Sequence, residues 1–156
     1  MFDELVKSVM QPARLLTVPP ETLVNEAARL MAREKFGAVM VVEHERLVGI
    51  FTERDIAFRV VAPGLDAQTT RLADVMTHAP ATVVPDRPLG CALLMMQEGG
   101  FRHLPVIQDG KVVGIVSSRG ALDPSLEEFV TEEQRRKHFQ EHGQARRKPS
   151  VRGGSK

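Results

Sequence analysis

In the run ETLVNEAARLMAREKF, the apolar residues Leu23, Ala27, Leu30 and Met31 recur at three- and four-residue intervals. That spacing gathers them on one face of an α-helix. A short extended piece, LLTVPP, precedes the helix and is stopped by proline, which cannot continue a strand ladder. After the helix comes the β-rich run AVMVVEHERLVGIF, and helical spacing resumes in TERDIAFRVV. The same succession returns later. ATVVPD is again an extended piece ended by proline, and HLPVIQDGKVVGIV holds two β-rich runs around Asp109-Gly110. That dipeptide signals a hairpin, because glycine tolerates the positive φ that tight turns demand. Each unit reads β-α-β-β-α, and two such units predict an α/β module whose sheets are covered by helices.

The two units are copies. An offset of 65 places Thr17 on Thr82, Pro20 on Pro85, Ala27 on Ala92, Met31 on Met96, Phe36 on Phe101 and Val41 on Val106. Gly49-Ile50 falls on Gly114-Ile115, and Val9-Met10 matches Val75-Met76 at an offset of 66, which one loop residue accommodates. Register held over a whole half marks an internal repeat. The expected division is residues 1–66 and 67–122 for the two copies, 123–142 for a further helix, and 143–156 for a tail.

Composition narrows the chemistry. Hydrophobic residues make up 42% of the 156, yet Trp and Tyr are absent, so the core must be aliphatic. The single cysteine, Cys91, has no partner in the chain for a disulfide or a thiolate metal site, which suits a reducing cytoplasm. No apolar run approaches a membrane span, and the start MFDELVKSVM is too acidic for a signal peptide. The net charge of +1 conceals an asymmetry: residues 143–156 hold five of the 21 basic residues and none of the 20 acidic ones. The remainder is therefore net negative, which argues against general nucleic-acid binding outside the tail.

The repeated unit resembles the CBS domain, named after cystathionine β-synthase, and the tandem resembles a CBS pair, or Bateman module. Val9-Met10, Val75-Met76, TVPPETLVNEAARLM, FRHLPVIQDGKVVGIVS and above all GIFTERD carry the resemblance, which spans about residues 1–122. FTERDIAFRVVAPGLDAQTTRLADVMT is also similar to small bacterial proteins consisting of little besides the pair. The resemblance implies a regulatory module without catalytic activity. It implies a homodimer formed through the helices, for which Ile56, Phe58, Val60 and Val61 are candidate contacts. It further implies an adenosine ligand: AMP, ADP or ATP, with S-adenosylmethionine and NAD(H) as alternatives, and no required metal.

Thr52 and Asp55 are the leading candidates for holding that ligand. Read from the residues alone, they form a capping box, with Thr52 capping a helix and Asp55 returning a hydrogen bond. The resemblance puts the pair at the mouth of a cleft, with Asp55 accepting from both ribose hydroxyls. An ionised carboxylate can take two donors at once, and the two roles are compatible. Thr17, Val18, Pro19, Ala38 and Val39 are implied as the backbone edge and apolar wall around adenine, and they also read as plain strand and core. In the second copy Ser117 keeps the hydroxyl and Arg119 matches Arg54, but Gly120 stands where the first copy has Asp55. Arg102 and His103 replace Gly37 and Ala38. The resemblance turns them toward phosphate, which suits a guanidinium and a protonated imidazole, while the plainer reading is a solvated loop. The halves then divide the labour: ribose recognition in the first, positive charge in the second.

Other signals are weaker. His138 and His142 share a helical face but have no third ligand nearby, so a polar surface is the expectation. Cys91 falls among Ala and Leu on a helix and reads as core. The run DPSLEEFVTEEQRRKHFQEHG reads as a helix with Ser125 and Glu128 as a capping box, ended at Gly143. QARRKPSVRGGSK reads as disordered. The competing functional reading is a ligand-free dimerisation adaptor whose basic tail touches a protein or nucleic acid. Asp55 separates the two, because it matters to a sensor and hardly to an adaptor. An effector protein is implied in either case, and no membrane.

Overall fold

The computed structural model describes residues 3–12 and 17–122. The expected helix 123–142 and tail 143–156, with His138 and His142, lie outside them. The first copy contains β2 (Thr17–Val18), α2 (Val24–Glu34), β3 (Ala38–Glu43) and β4 (Arg46–Thr52). A short turn α3 (Glu53–Asp55) leads straight into a π-helix, Ile56–Val61. The second copy contains α5 (Leu89–Gly99), β6 (His103–Gln108), β7 (Lys111–Ser117) and α6 (Ser118–Leu122). Each copy is introduced by a one-turn helix and a two-residue strand: α1 (Val6–Val9) with β1 (Gln11–Pro12), and α4 (Leu72–Val75) with β5 (Thr77–His78).

Those leading segments are exchanged. β1 pairs with β7 of the second copy, giving the sheet β1-β7-β6, and β5 pairs with β4 of the first, giving β2-β3-β4-β5. The helices follow their strands. Val6 joins the core formed by Val83, Leu89, Ala92, Met96, Leu104, Val106 and Val116. Leu72, Val75 and Met76 join the core formed by Val24, Ala27, Met31, Val39, Val41, Phe51 and Val60. The backbone ties are reciprocal: Val6 N–H donates to the Arg87 carbonyl and Leu72 N–H to the Thr22 carbonyl, both at 2.9 Å.

The glycines of the repeated GI pair make the exchange possible. A Cβ on Gly49 would run into the Met76 sulfur, and one on Gly114 would lie 2.8 Å from the Met10 sulfur and 3.0 Å from the Gln11 carbonyl oxygen. Each copy therefore needs a bare backbone where the other's leading segment crosses it. Matching β-bulges at Val41/Val42 and Val106/Ile107 show how closely the copies agree. A third cluster of Ala38, Ile50 and Ile115, with Phe36 against it, joins residues of the two sheets.

Two expectations need refinement. Val60 is 1% exposed and belongs to the first core, and Ile56 packs against that core, so neither is spare for a dimer contact. Of the four candidates, Phe58 and Val61 remain on that helix's surface, each 69% exposed. Cys91 is half-buried on α5 rather than fully in the core.

Candidate functional site

At the end of β4 the chain leaves the sheet at Thr52, whose extended φ of −123° lets its side chain turn back over the next residues. Asp55 N–H donates to Thr52 Oγ1 at 3.4 Å, while Thr52 N–H and Oγ1 donate to Asp55 Oδ2 at 2.8 and 3.1 Å. The capping box expected from TERD is therefore present. It leaves Oδ1 facing elsewhere. Arg59, one turn on, brings its Nε to 3.4 Å from Oδ1. Its Nη1 donates to the carbonyls of Val75 and Met76 at 3.2 and 2.9 Å, at the end of the exchanged helix α4. Asp55 is thus a buried residue, 9% exposed, with its carboxylate gripped from two sides.

Asp55 opens onto a cavity of about 440 Å³. The first copy contributes Ile50 and Thr52–Asp55 with Arg59; the segment following α4 contributes Thr77 and Ala79–Ala81; the second copy contributes Gly99–His103. The size falls within the range of small-molecule pockets, and the lining mixes an apolar wall with converging polar groups. Arg54 crosses between the copies, its Nη1 donating to the Gly100 carbonyl at 2.9 Å. Arg102 is exposed at the rim, and its carbonyl accepts from Ser118 N–H. His103 is half-buried at the start of β6, its ring 6.2 Å from that of Phe36. Burial holds its imidazole pKa below 6.5, with Glu53 partly offsetting and Arg102 adding to the depression. Among the described residues, no group of three His, Cys, Asp or Glu side chains stands where it could hold a metal ion.

The cavity gathers five of the twelve residues singled out in the sequence: Thr52, Arg54, Asp55, Arg102 and His103. The other seven lie outside its lining. Thr17 and Pro19 are exposed and Val18 is half-buried; Ala38 and Val39 are buried at 1% and 0% exposure. Ser117 caps the next helix by accepting from Gly120 N–H at 3.1 Å, and Arg119 is exposed. Conversely, the wall contains Thr77, Ala79, Pro80, Ala81 and Phe101, which sequence reading passed over, together with Arg59. The signal for Arg59 was available: it lies four residues beyond Asp55, the spacing of neighbours on a helix. Nothing in the local sequence pointed to Thr77–Ala81, because they reach the cavity only through the exchange of β5.

Two β-α-β-β-α units with exchanged leading segments and a cavity of mixed polar and apolar lining between them define a tandem-repeat class of α/β module. The family model for the CBS domain matches the chain twice, at residues 6–62 and 72–124. The chain belongs to the CBS domain family, as a CBS pair. Among curated relatives, it is 38% identical to the meiotically up-regulated gene 70 protein of Schizosaccharomyces pombe over 81% of this chain. It spans only 19% of that protein's length. A crystal structure of an uncharacterized conserved protein from Pyrococcus horikoshii is similar at TM-score 0.74 and 34% identity, covering 80% of this chain and 94% of that one. The crystal structure of CBSX2 in complex with AMP is similar at TM-score 0.65 and 28% identity, covering 79% and 96%.

Proposed function

We propose that this chain is a regulatory module that binds an adenine nucleotide in the Asp55 cavity and passes its occupancy to an effector protein. One observation carries the reading: a buried carboxylate whose backbone and Arg59 contacts fix its orientation lines a cavity with Arg54 and Arg102. Asp55 Oδ1 would accept from ribose hydroxyls, and the guanidinium groups would meet phosphate, which their planar fork suits. The aliphatic wall of Ile50, Ala79, Pro80 and Ala81 would hold the base in a chain that has no Trp or Tyr to stack on it. The AMP held by the CBSX2 structure supports the ligand class. A homodimer in which Phe58 and Val61 are covered, and a cytoplasmic setting suited to one free cysteine, complete the proposal.

Among the described residues no helix is long and apolar enough to cross a membrane. A thermal-shift panel of AMP, ADP, ATP, S-adenosylmethionine and NAD(H) tests the ligand class. A ligand at 100 times its Kd should stabilise the fold by about 2.7 kcal/mol, a rise of several degrees. No shift with any of the five would leave the adaptor reading in its place. Sedimentation at micromolar concentration checks the dimer, and a monomer throughout would remove that part.

A further inference from the structure

We propose that Glu53 sets the phosphate count of the ligand, favouring an adenosine monophosphate over the di- and triphosphates; this rests on the adenine-nucleotide reading of the Asp55 cavity. Three guanidinium groups and two carboxylates line the cavity: Arg54, Arg59 and Arg102 against Glu53 and Asp55. Most of that positive charge is already engaged. Arg59 is answered by Asp55 and by two carbonyls, and Arg54 by the Gly100 carbonyl.

Glu53 differs from Asp55 in what surrounds it. Asp55 is held by its cap and by Arg59, whereas Glu53 is exposed and lines the cavity together with the second copy's Arg102 and His103. A Cβ placed on Gly37 would touch Glu53 Cδ at 3.3 Å and His103 Cε1 at 3.4 Å. The Glu53 carboxyl and the His103 ring therefore crowd one spot, at the end of the cavity where Arg102 and His103 would meet phosphate. Because His103 is biased toward its neutral form by burial, it answers Glu53 with little positive charge near neutral pH. A monophosphate brings at most two negative charges to Arg54 and Arg102. Each further phosphate brings another negative charge toward an unneutralised carboxylate. At about 6 Å in a water-like medium, such a repulsion costs roughly threefold in affinity per charge.

Calorimetric titration with adenosine, AMP, ADP and ATP, without divalent cations, tests the filter on wild type, Glu53→Gln and Glu53→Lys. Wild type should bind AMP more tightly than ADP, and ADP more tightly than ATP. Glu53→Gln should raise the ATP-to-AMP affinity ratio about three- to tenfold, and Glu53→Lys further, with adenosine unchanged in both. The gain should shrink in 1 M salt, where the screening length falls to about 3 Å. A wild type that prefers ATP, or a ratio unmoved in both variants, would overturn the filter while leaving the site intact. Failure of wild type to bind any of the four ligands would overturn the site reading, and the filter with it.

Discussion

The two helix starts, Thr52–Asp55 and Ser117–Gly120, are built on one plan. Both follow the last residue of a strand hairpin with the same register and the same bulge, and in both a hydroxyl accepts from the backbone N–H three residues on. The distances are 3.4 Å to Thr52 and 3.1 Å to Ser117. Only the first has a carboxylate to reciprocate. The second helix nevertheless starts in the same place with Gly120, so the fold does not need a carboxylate there. Asp55 caps its helix, but capping is not a sufficient reason for a buried carboxylate that also faces Arg59 and a cavity. The ligand recognition proposed for Asp55 would supply the missing reason.

The largest expected effect comes from removing that difference. Asp55→Ala deletes up to two charge-assisted hydrogen bonds to ribose, each worth roughly 1.5–3 kcal/mol net, and should weaken nucleotide binding by about two to four powers of ten. The loss of stability should combine that of a helix cap with that of the Arg59 pairing, about 1–3 kcal/mol by urea titration. Unchanged affinity would reduce Asp55 to its cap.

The exchanged segments provide the next test, since the two copies should fail alike. Gly49→Ala must displace Met76, and Gly114→Ala must displace Met10 and press on the Gln11 carbonyl. Each should cost about 1–3 kcal/mol in chemical denaturation, the usual penalty of overpacking. Pairing Gly49→Ala with Met76→Ala should recover part of the loss, because the two side chains contend for one space. A fully additive double mutant would mean that the crossing is not tight.

Arg59 sharpens the contrast further, because position 124, its counterpart at the repeat offset, is proline. Arg59→Ala should leave Asp55 in place but free to turn, weakening AMP binding about tenfold, with partial recovery in Arg59→Lys. An isotherm identical to wild type would show that Thr52 alone orients the carboxylate.

The shallowest effect concerns His103, which has Ala38 as its counterpart in the first copy. Burial lowers its pKa in the folded chain, so the unfolded chain takes up the proton first as pH falls below 6.5. Stability from this group is complete above that value and declines toward the folded pKa. Urea midpoints between pH 7.5 and 5.5 should therefore fall less steeply in His103→Gln than in wild type. Parallel slopes would contradict the burial argument.

The repeat was legible because both copies retain the same apolar faces, turn residues and bare glycines. Ala27 and Ala92, or Gly49 and Gly114, solve one packing problem twice. Thr52 and Asp55 were legible because their chemistry is local, as were Arg102 and His103, which stand out against Gly37 and Ala38. The exchange of α1 with α4 was not legible. Local periodicity predicts an element but does not say which of two equivalent cores will receive it. For the same reason local sequence does not point to Thr77, Ala79, Pro80 and Ala81, and Thr17, Val18, Pro19, Ala38 and Val39, expected around adenine, lie outside the lining of the Asp55 cavity. The π-helix at Ile56–Val61 also escaped notice, although Val60 turns inward and Phe58 and Val61 outward on it.

Counting nucleotides per chain addresses the inequality of the two halves most directly. Calorimetry of the wild-type protein with AMP should give one dominant binding event per chain, with anything at the Gly120 side weaker by about two powers of ten or more. Two events of equal affinity per chain would contradict the account, because the second could not depend on a carboxylate that Gly120 does not have.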